Sequence, residues 1–190
     1  MPKSRLEAFS DGVMAVIITI MVLELKVPHG DTFAALRPLL PTLLSYVLSF
    51  LFIAIYWNNH HHLLHAATKV NAGIMWANFH LLFWLSLVPF ATAWIDEYHS
   101  SPLPTALYGV VLLMAAVAYQ TLQATIVAVC GRQSAMASAL GADWKGKVSL
   151  LCYAAAIGSS FVTLWVPNVL YFIVAAMWII PDRRLEKMTA

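Results

Sequence analysis

Residues 13–23 read VMAVIITIMVL, and they directly follow the more polar segment RLEAFSDG of residues 5–12. The apolar run has no charged residue and does not alternate between apolar and polar positions, as the strands of a membrane β-barrel do. The rest of the chain is similar, since 61% of its 190 residues are hydrophobic and 11% are charged. A soluble domain carries about 25% charged residues. The sequence therefore predicts a protein that crosses a lipid bilayer by α-helices.

Six apolar segments are candidates for helices that cross about 30 Å of hydrocarbon. They cover residues 6–27, 39–57, 73–95, 103–129, 148–166 and 168–180. The last segment is short, so its boundary with the fifth near Pro167 stays open. No linker or low-complexity stretch divides the chain. The expected fold is an all-α membrane protein with six transmembrane helices in a single domain over residues 1–190.

The positions of lysine and arginine predict the orientation of these helices. Two of the 11 basic residues, Lys26 and Arg37, fall on one side of the predicted membrane, and nine fall on the other. The nine are Lys3, Arg5, Lys69, Arg132, Lys145, Lys147, Arg183, Arg184 and Lys187. Cytoplasmic loops of membrane proteins carry an excess of lysine and arginine. Both the N- and the C-terminus are therefore expected to be cytoplasmic.

Several other classes of protein are disfavoured by what the sequence contains. No stripe of basic and aromatic residues suggests a nucleic-acid partner. Cys130 and Cys152 form neither a disulfide framework nor a metal-ligand pattern. No nucleophile–base pair or phosphate-binding loop suggests an enzyme. A coupled transporter usually has a polar site at the middle of the bilayer, and no charged residue lies there in the predicted spans.

The most unusual segment lies at the start of the first predicted helix. There Arg5, Phe9, Ser10 and Asp11 form the pattern R-x-x-x-F-S-D. Ionisable residues are costly at such a position and usually have a function. This pattern resembles the signature on the first helix of the endolysosomal-type potassium channels, the transmembrane protein 175 family. All four residues match, and the number of predicted spans agrees with the resemblance.

The resemblance implies an assembly and an activity. Single-repeat prokaryotic members of that family form tetramers, whereas eukaryotic members carry two six-helix repeats, and this chain covers one repeat. We therefore expect a homotetrameric, multi-pass channel in the plasma membrane of a prokaryote. Its first helix would line a central pore that conducts potassium ions passively, with no cofactor. The T-V-G-Y-G filter loop of other potassium channels does not occur in the sequence.

Helical geometry places four residues of the first helix on one stripe. At about 100° per residue, a sector about 100° wide contains Val16, Thr19, Ile20 and Leu23. These are the predicted pore-lining residues, with Ile20 as the tightest apolar ring, and the family has apolar constrictions at corresponding positions. The Thr19 hydroxyl is expected to favour potassium over sodium. A simpler interpretation stays open, in which the stripe faces lipid or packs, and Thr19 bonds to its own backbone.

Ser10 and Asp11 fall outside this stripe, so their side chains are expected to point toward neighbouring helices. We expect the motif to hold helices together rather than to bind the permeating ion, because an unpaired buried carboxylate costs several kcal/mol. Polar side chains at a similar predicted depth are the candidate partners. They are Asn58, Asn59, His60, Trp76, Asn78 and His80.

A group of histidines at positions 60, 61, 62 and 65 suggests a different function. On a helix, His61 and His65 would share a face with the spacing of metal or haem ligands. The alternative is therefore a membrane redox or metal-transport protein that uses these histidines. No cysteine or carboxylate accompanies the group, so we favour the channel and predict no metal site.

Overall fold

A computed structural model describes residues 2–131 and 143–179 of the chain. Within these ranges the regular structure is helical, and a short 3₁₀ turn at Arg37–Leu39 joins the second helix to the third. The helices are α1 (Lys3–Leu23), α2 (Phe33–Leu36), α3 (Leu40–Ala66), α4 (Ala72–Ser86), α5 (Val88–Glu97), α6 (Pro102–Cys130), α7 (Trp144–Ser159) and α8 (Trp165–Ile179). Several residues used above lie outside the described ranges, namely Arg132, Ile180, Arg183, Arg184 and Lys187.

Local sequence signals account for several helix ends. The side chain of Asn71 accepts a hydrogen bond from the Ile74 amide at 2.9 Å and so caps the start of α4. Asp143 caps α7 in the same way, through the Gly146 amide at 2.9 Å. α6 ends before Gly131, whose φ of 99° is a conformation that other residues rarely adopt. Short polar side chains and glycine therefore divide an otherwise apolar chain into helices.

Four segments of the described chain are long and apolar enough to cross a membrane. They cover residues 3–23, 33–66, 72–97 and 102–130, and Trp165–Ile179 is a shorter apolar helix. These segments support the predicted all-helical membrane fold. The count of six spans and the orientation of the termini stay predictions.

Several predicted boundaries are wrong. The second predicted span ends at residue 57, but α3 continues to Ala66 because its last turns pack into the protein through Leu63 and Leu64. The bounds of the third predicted span agree with the segment 72–97, but the helix is divided at Leu87 into α4 and α5, and Pro89 lies in the first turn of α5. Near the C-terminus, α7 ends at Ser159 and α8 already begins at Trp165, so Pro167 lies inside the first turn of α8.

The long helix α6 packs against α4, α5, α7 and α8, whereas α1 packs against α3, α4 and α5. Gly109 shows how closely the neighbours of α6 approach. A Cβ atom on Gly109 would clash with the Tyr171 hydroxyl and would lie 2.8 Å from Cγ1 of Ile157. That hydroxyl donates a hydrogen bond to the Thr105 carbonyl at 2.9 Å. Small residues permit close backbone contact, which stabilises helix pairs in membranes where hydrophobic burial gives little advantage.

We predict that Gly109→Ala destabilises the protein by about 1–3 kcal/mol, because the added methyl group has no space between α6, α7 and α8. The matched control is Gly158→Ala in α7, where nothing lies within 4 Å of the added atom. Alanine favours helix over glycine, so the control should unfold at or above the wild-type midpoint. Thermal unfolding in detergent measures both variants. An unchanged midpoint for Gly109→Ala would contradict this account of the packing.

Candidate functional site

Helix α1 has one face inside the protein and one face outside it. The inner face carries Leu6, Ser10, Met14, Ile17 and Met21, which repeat every three or four residues and are all buried. This face packs toward α3, α4 and α5. The rotation of α1 relative to the rest of the chain is therefore well defined.

The four predicted pore-lining residues lie together on the opposite, outer face of α1. Val16 is 55% exposed, Ile20 is 44% exposed and Leu23 is 80% exposed. Thr19 is exposed between them. The Thr19 hydroxyl donates to the Val16 carbonyl at 2.8 Å, as the simpler interpretation anticipated. Its oxygen still has free lone pairs, since a hydroxyl that donates one bond keeps its acceptor capacity.

An open groove of about 780 Å³ runs beside this outer face. Phe9, Val16 and Ile20 line it from α1, and Pro89 and Phe90 line it from α5. The groove is mostly apolar. The outer face of α1 and the neighbouring surface of α5 therefore form one apolar surface. No other part of the described chain covers it.

The motif serine belongs to a buried chain of hydrogen bonds that joins three helices. Ser10 on α1 donates to the Leu6 carbonyl at 2.9 Å and accepts a bond from the Asn78 amide nitrogen on α4 at 2.9 Å. The Asn78 amide oxygen lies 2.6 Å from Nε2 of His60 on α3. Because that oxygen can only accept, Nε2 of His60 is the donor. Every polar group in this chain is buried and paired.

The motif carboxylate has a partner on α3 as well. The Trp57 indole nitrogen donates to Oδ1 of Asp11 at 2.8 Å. Phe9 packs edge-to-face on Phe79 of α4, with ring centroids 5.7 Å apart. Arg5 is exposed and lies outside these contacts. Three of the four motif residues thus contact α3 or α4 of the same chain.

Of the predicted motif partners, Asn78 bonds directly to Ser10, and His60 is joined to the motif through Asn78. Three others have different contacts. Asn59 donates to the Ile55 carbonyl of its own helix at 2.8 Å. His80 accepts from the Trp84 indole at 3.0 Å. Trp76 is 73% exposed and packs on Phe79.

Trp57 is the partner that sequence reasoning missed. The second predicted span ends at residue 57, and the candidate partners that follow it begin at Asn58. A helix continued past residue 57 would have identified it. At about 100° per residue, positions 57 and 60 lie about 60° apart around the helix axis, so both side chains are near the same neighbouring helices. Its position one turn before His60 brings its indole to Asp11.

The remaining histidines of the group lie on another part of α3. The rings of His61 and His65 stack with centroids 6.2 Å apart, so they share a helix face as predicted. His60 is instead buried and bonded to Asn78. Among the described residues, no group of three or more histidine, cysteine, aspartate or glutamate side chains is arranged to hold a metal ion.

Comparison with known proteins identifies the family. Residues 5–89 match the model of the family described as endosomal/lysosomal potassium channel TMEM175. A protein named as a potassium channel in Chryseobacterium sp. (strain P1-3) is 50% identical over 187 residues, which cover 98% of this chain and 97% of the relative. The chain belongs to the TMEM175 family. The resemblance stated from the motif is confirmed, and membership in a family of potassium channels places the chain among channels rather than enzymes.

Two further relatives support this membership. A TMEM175 relative named as a potassium channel in Streptomyces collinus is 38% identical over 128 residues, or 63% of this chain and 62% of the relative. The crystal structure of a TMEM175 homolog from Chamaesiphon minutus, described as a lysosomal potassium-selective channel, superposes with a TM-score of 0.82. That homolog is 26% identical, and the match covers 95% of this chain and 97% of the homolog.

We predict that Ser10 and Asn78 are energetically coupled, because the Asn78 amide nitrogen donates directly to the Ser10 hydroxyl between α4 and α1. A double-mutant cycle with Ser10→Ala and Asn78→Ala should give a coupling energy of about 0.6 kcal/mol and at most about 1.7 kcal/mol, the average and the maximum found for hydrogen bonds between membrane helices. The cycle is measured by unfolding in detergent. Thr121→Ala is the control, because Thr121 is exposed and bonds to its own helix, and it should be additive with Asn78→Ala. Additivity of the first pair would contradict the coupling.

Proposed function

We propose that this protein is a passive potassium channel of a prokaryotic plasma membrane, and that it forms a homotetramer whose pore is lined by α1. Each subunit contributes a single six-helix domain with cytoplasmic termini. Family membership and the names of the relatives support potassium as the permeant ion. The observation that carries the assignment of α1 is the exposure of Val16, Ile20 and Leu23 opposite the buried face of the helix.

One subunit does not enclose a pore along α1, because the stripe lies on the outside of the described chain. Four copies arranged around an axis would turn this stripe inward and cover the apolar groove next to it. Val16, Ile20 and Leu23 would then form three apolar rings, about 6 and 4.5 Å apart along the axis at 1.5 Å per residue. Narrow apolar rings control ion flow by dewetting, and they contain no charge that would trap an ion.

The proposed role of the motif is to position α1 within the subunit. Ser10 and Asp11 bond to Asn78 and Trp57 of the same chain and do not lie on the stripe. They therefore fix which residues of α1 face the axis, while the ion meets only Val16, Thr19, Ile20 and Leu23. The buried pairing of His60 and the family membership favour this function over the redox or metal-transport alternative.

We predict that Ile20→Asn raises potassium flux about threefold or more, since a polar ring is wetted more easily than an apolar one. The matched control is Val22→Asn on the same helix. Val22 and Ile20 are both 44% exposed, but Val22 lies off the stripe. Flux is measured in liposomes under a potassium gradient. Equal effects of the two substitutions would overturn the assignment of the stripe to the pore.

We predict that Thr19→Val lowers the ratio of potassium to sodium permeability by about twofold or more. The substitution keeps the shape of the side chain but removes the hydroxyl that would replace part of the hydration shell of an ion. Thr19→Ser is the control, because it keeps the hydroxyl and should keep the ratio. Reversal potentials under mixed-ion conditions measure both variants. A wild-type ratio in Thr19→Val would remove Thr19 from selectivity.

A further inference from the structure

Three aromatic rings form a ladder on the exposed side of α3. Trp57, His61 and His65 occupy successive turns, with centroids 5.9 Å apart between Trp57 and His61 and 6.2 Å apart between His61 and His65. Both pairs of rings are near parallel, at 26° and 18°. Both imidazoles are exposed, so solvent and solutes reach them. Trp57, the first ring of the ladder, is joined to α1 because its indole N–H group donates a hydrogen bond to Asp11.

The two imidazoles have the chemistry of a transition-metal site. Residues four apart on a helix have Cβ atoms about 5–6 Å apart, and imidazole nitrogens bind Zn²⁺ at about 2.0–2.1 Å. The rings must turn toward each other from their stacked arrangement to share an ion. Two protein ligands leave the remaining coordination positions to water. Imidazole also suits nickel and copper, and affinity rises from nickel to copper along the divalent series.

The charges near the pair partly offset one another. His65 lies in the last turn of α3, where the aligned peptide dipoles give a partial negative charge. Lys3 of α1 already interacts with this partial negative charge, since its ammonium group donates a hydrogen bond to the His65 carbonyl at 2.6 Å. Glu7 lies 3.8 Å from that ammonium group and offsets it.

We propose that His61 and His65 bind a divalent transition-metal ion, and that the bound ion acts on α1 through Trp57 and Asp11. Metal binding draws electron density from the imidazole of His61, which strengthens its attraction to the face of the Trp57 indole as long as the turned ring keeps its contact with the indole. A more firmly held indole keeps its N–H group on Asp11 and so restrains α1 against α3. The link to conduction rests on the proposed role of α1 in the pore.

The test uses the full chain, purified without a histidine tag and reconstituted in liposomes or nanodiscs, with Ni²⁺ as the probe. Calorimetry measures binding for wild type, His61→Ala and His65→Ala. His29→Ala, which changes an exposed histidine in the loop after α1, is the control. We expect one Ni²⁺ per chain in wild type and control. Each of the two site variants should bind at least tenfold more weakly, a loss of about 1.4 kcal/mol or more.

The link to α1 is tested with Trp57→Phe, which keeps a ring against His61 but removes the donor to Asp11. Potassium flux with saturating Ni²⁺ is divided by the metal-free flux of the same variant. We expect this flux ratio to differ from one by at least twofold in wild type. In Trp57→Phe the ratio should stay at one, although this variant still binds Ni²⁺. Wild-type binding by both His61→Ala and His65→Ala would overturn the site, and the same response in Trp57→Phe would overturn the route. Absence of potassium flux without metal would count against the channel instead, while the binding data would stand.

Discussion

The hydrogen-bond chain from Ser10 through Asn78 to His60 is the constraint on which the arrangement of α1 depends. Apolar helix surfaces pack against lipid nearly as well as against each other, so hydrophobic burial does not select one rotation of a membrane helix. Polar groups do select one, because an unpaired donor or acceptor in hydrocarbon costs several kcal/mol. Any other rotation of α1 would expose Ser10 or strand Asn78. The polar contact therefore decides the orientation, and the apolar contacts then fill space around it.

The outward position of the stripe is a consequence of this constraint. α1 is one helix of 21 residues, so its rotation at Ser10 determines which side chains face outward about two to four turns later. Asp11 adds a second fixed point through Trp57, at a different angle around the helix. Two attachments at one end hold the axis as well as the rotation. The residues proposed to meet ions need no polar group of their own, because polar groups elsewhere on the helix position them.

The sequence predicted the helical membrane class, the motif and the stripe, because each depends on a pattern within one segment. It did not predict the end of α3, since residues 58–62 are polar and resemble a loop. That helix continues because Leu63 and Leu64 are buried by other helices, which is a tertiary effect. The list of candidate motif partners was only partly correct, for a related reason. Sequence position indicates the depth of Asn59 or His80 in the membrane, but not the rotation of α3 or α4 that turns these side chains away from α1.

The consecutive histidines His60 and His61 show why composition alone does not assign roles on such a helix. A step of one residue turns the side chain by about 100°, so His60 is buried against Asn78 whereas His61 stacks on the exposed ladder. One imidazole completes the polar chain that joins α1 to α4 and α3, and its exposed neighbour is one of the two proposed metal ligands. Trp57 joins the ladder to α1, because its ring lies against His61 and its N–H group bonds to Asp11. The proposed effect of an ion at His61 would therefore reach α1 through the Trp57 indole, beside the direct contact that Lys3 of α1 makes with the His65 carbonyl.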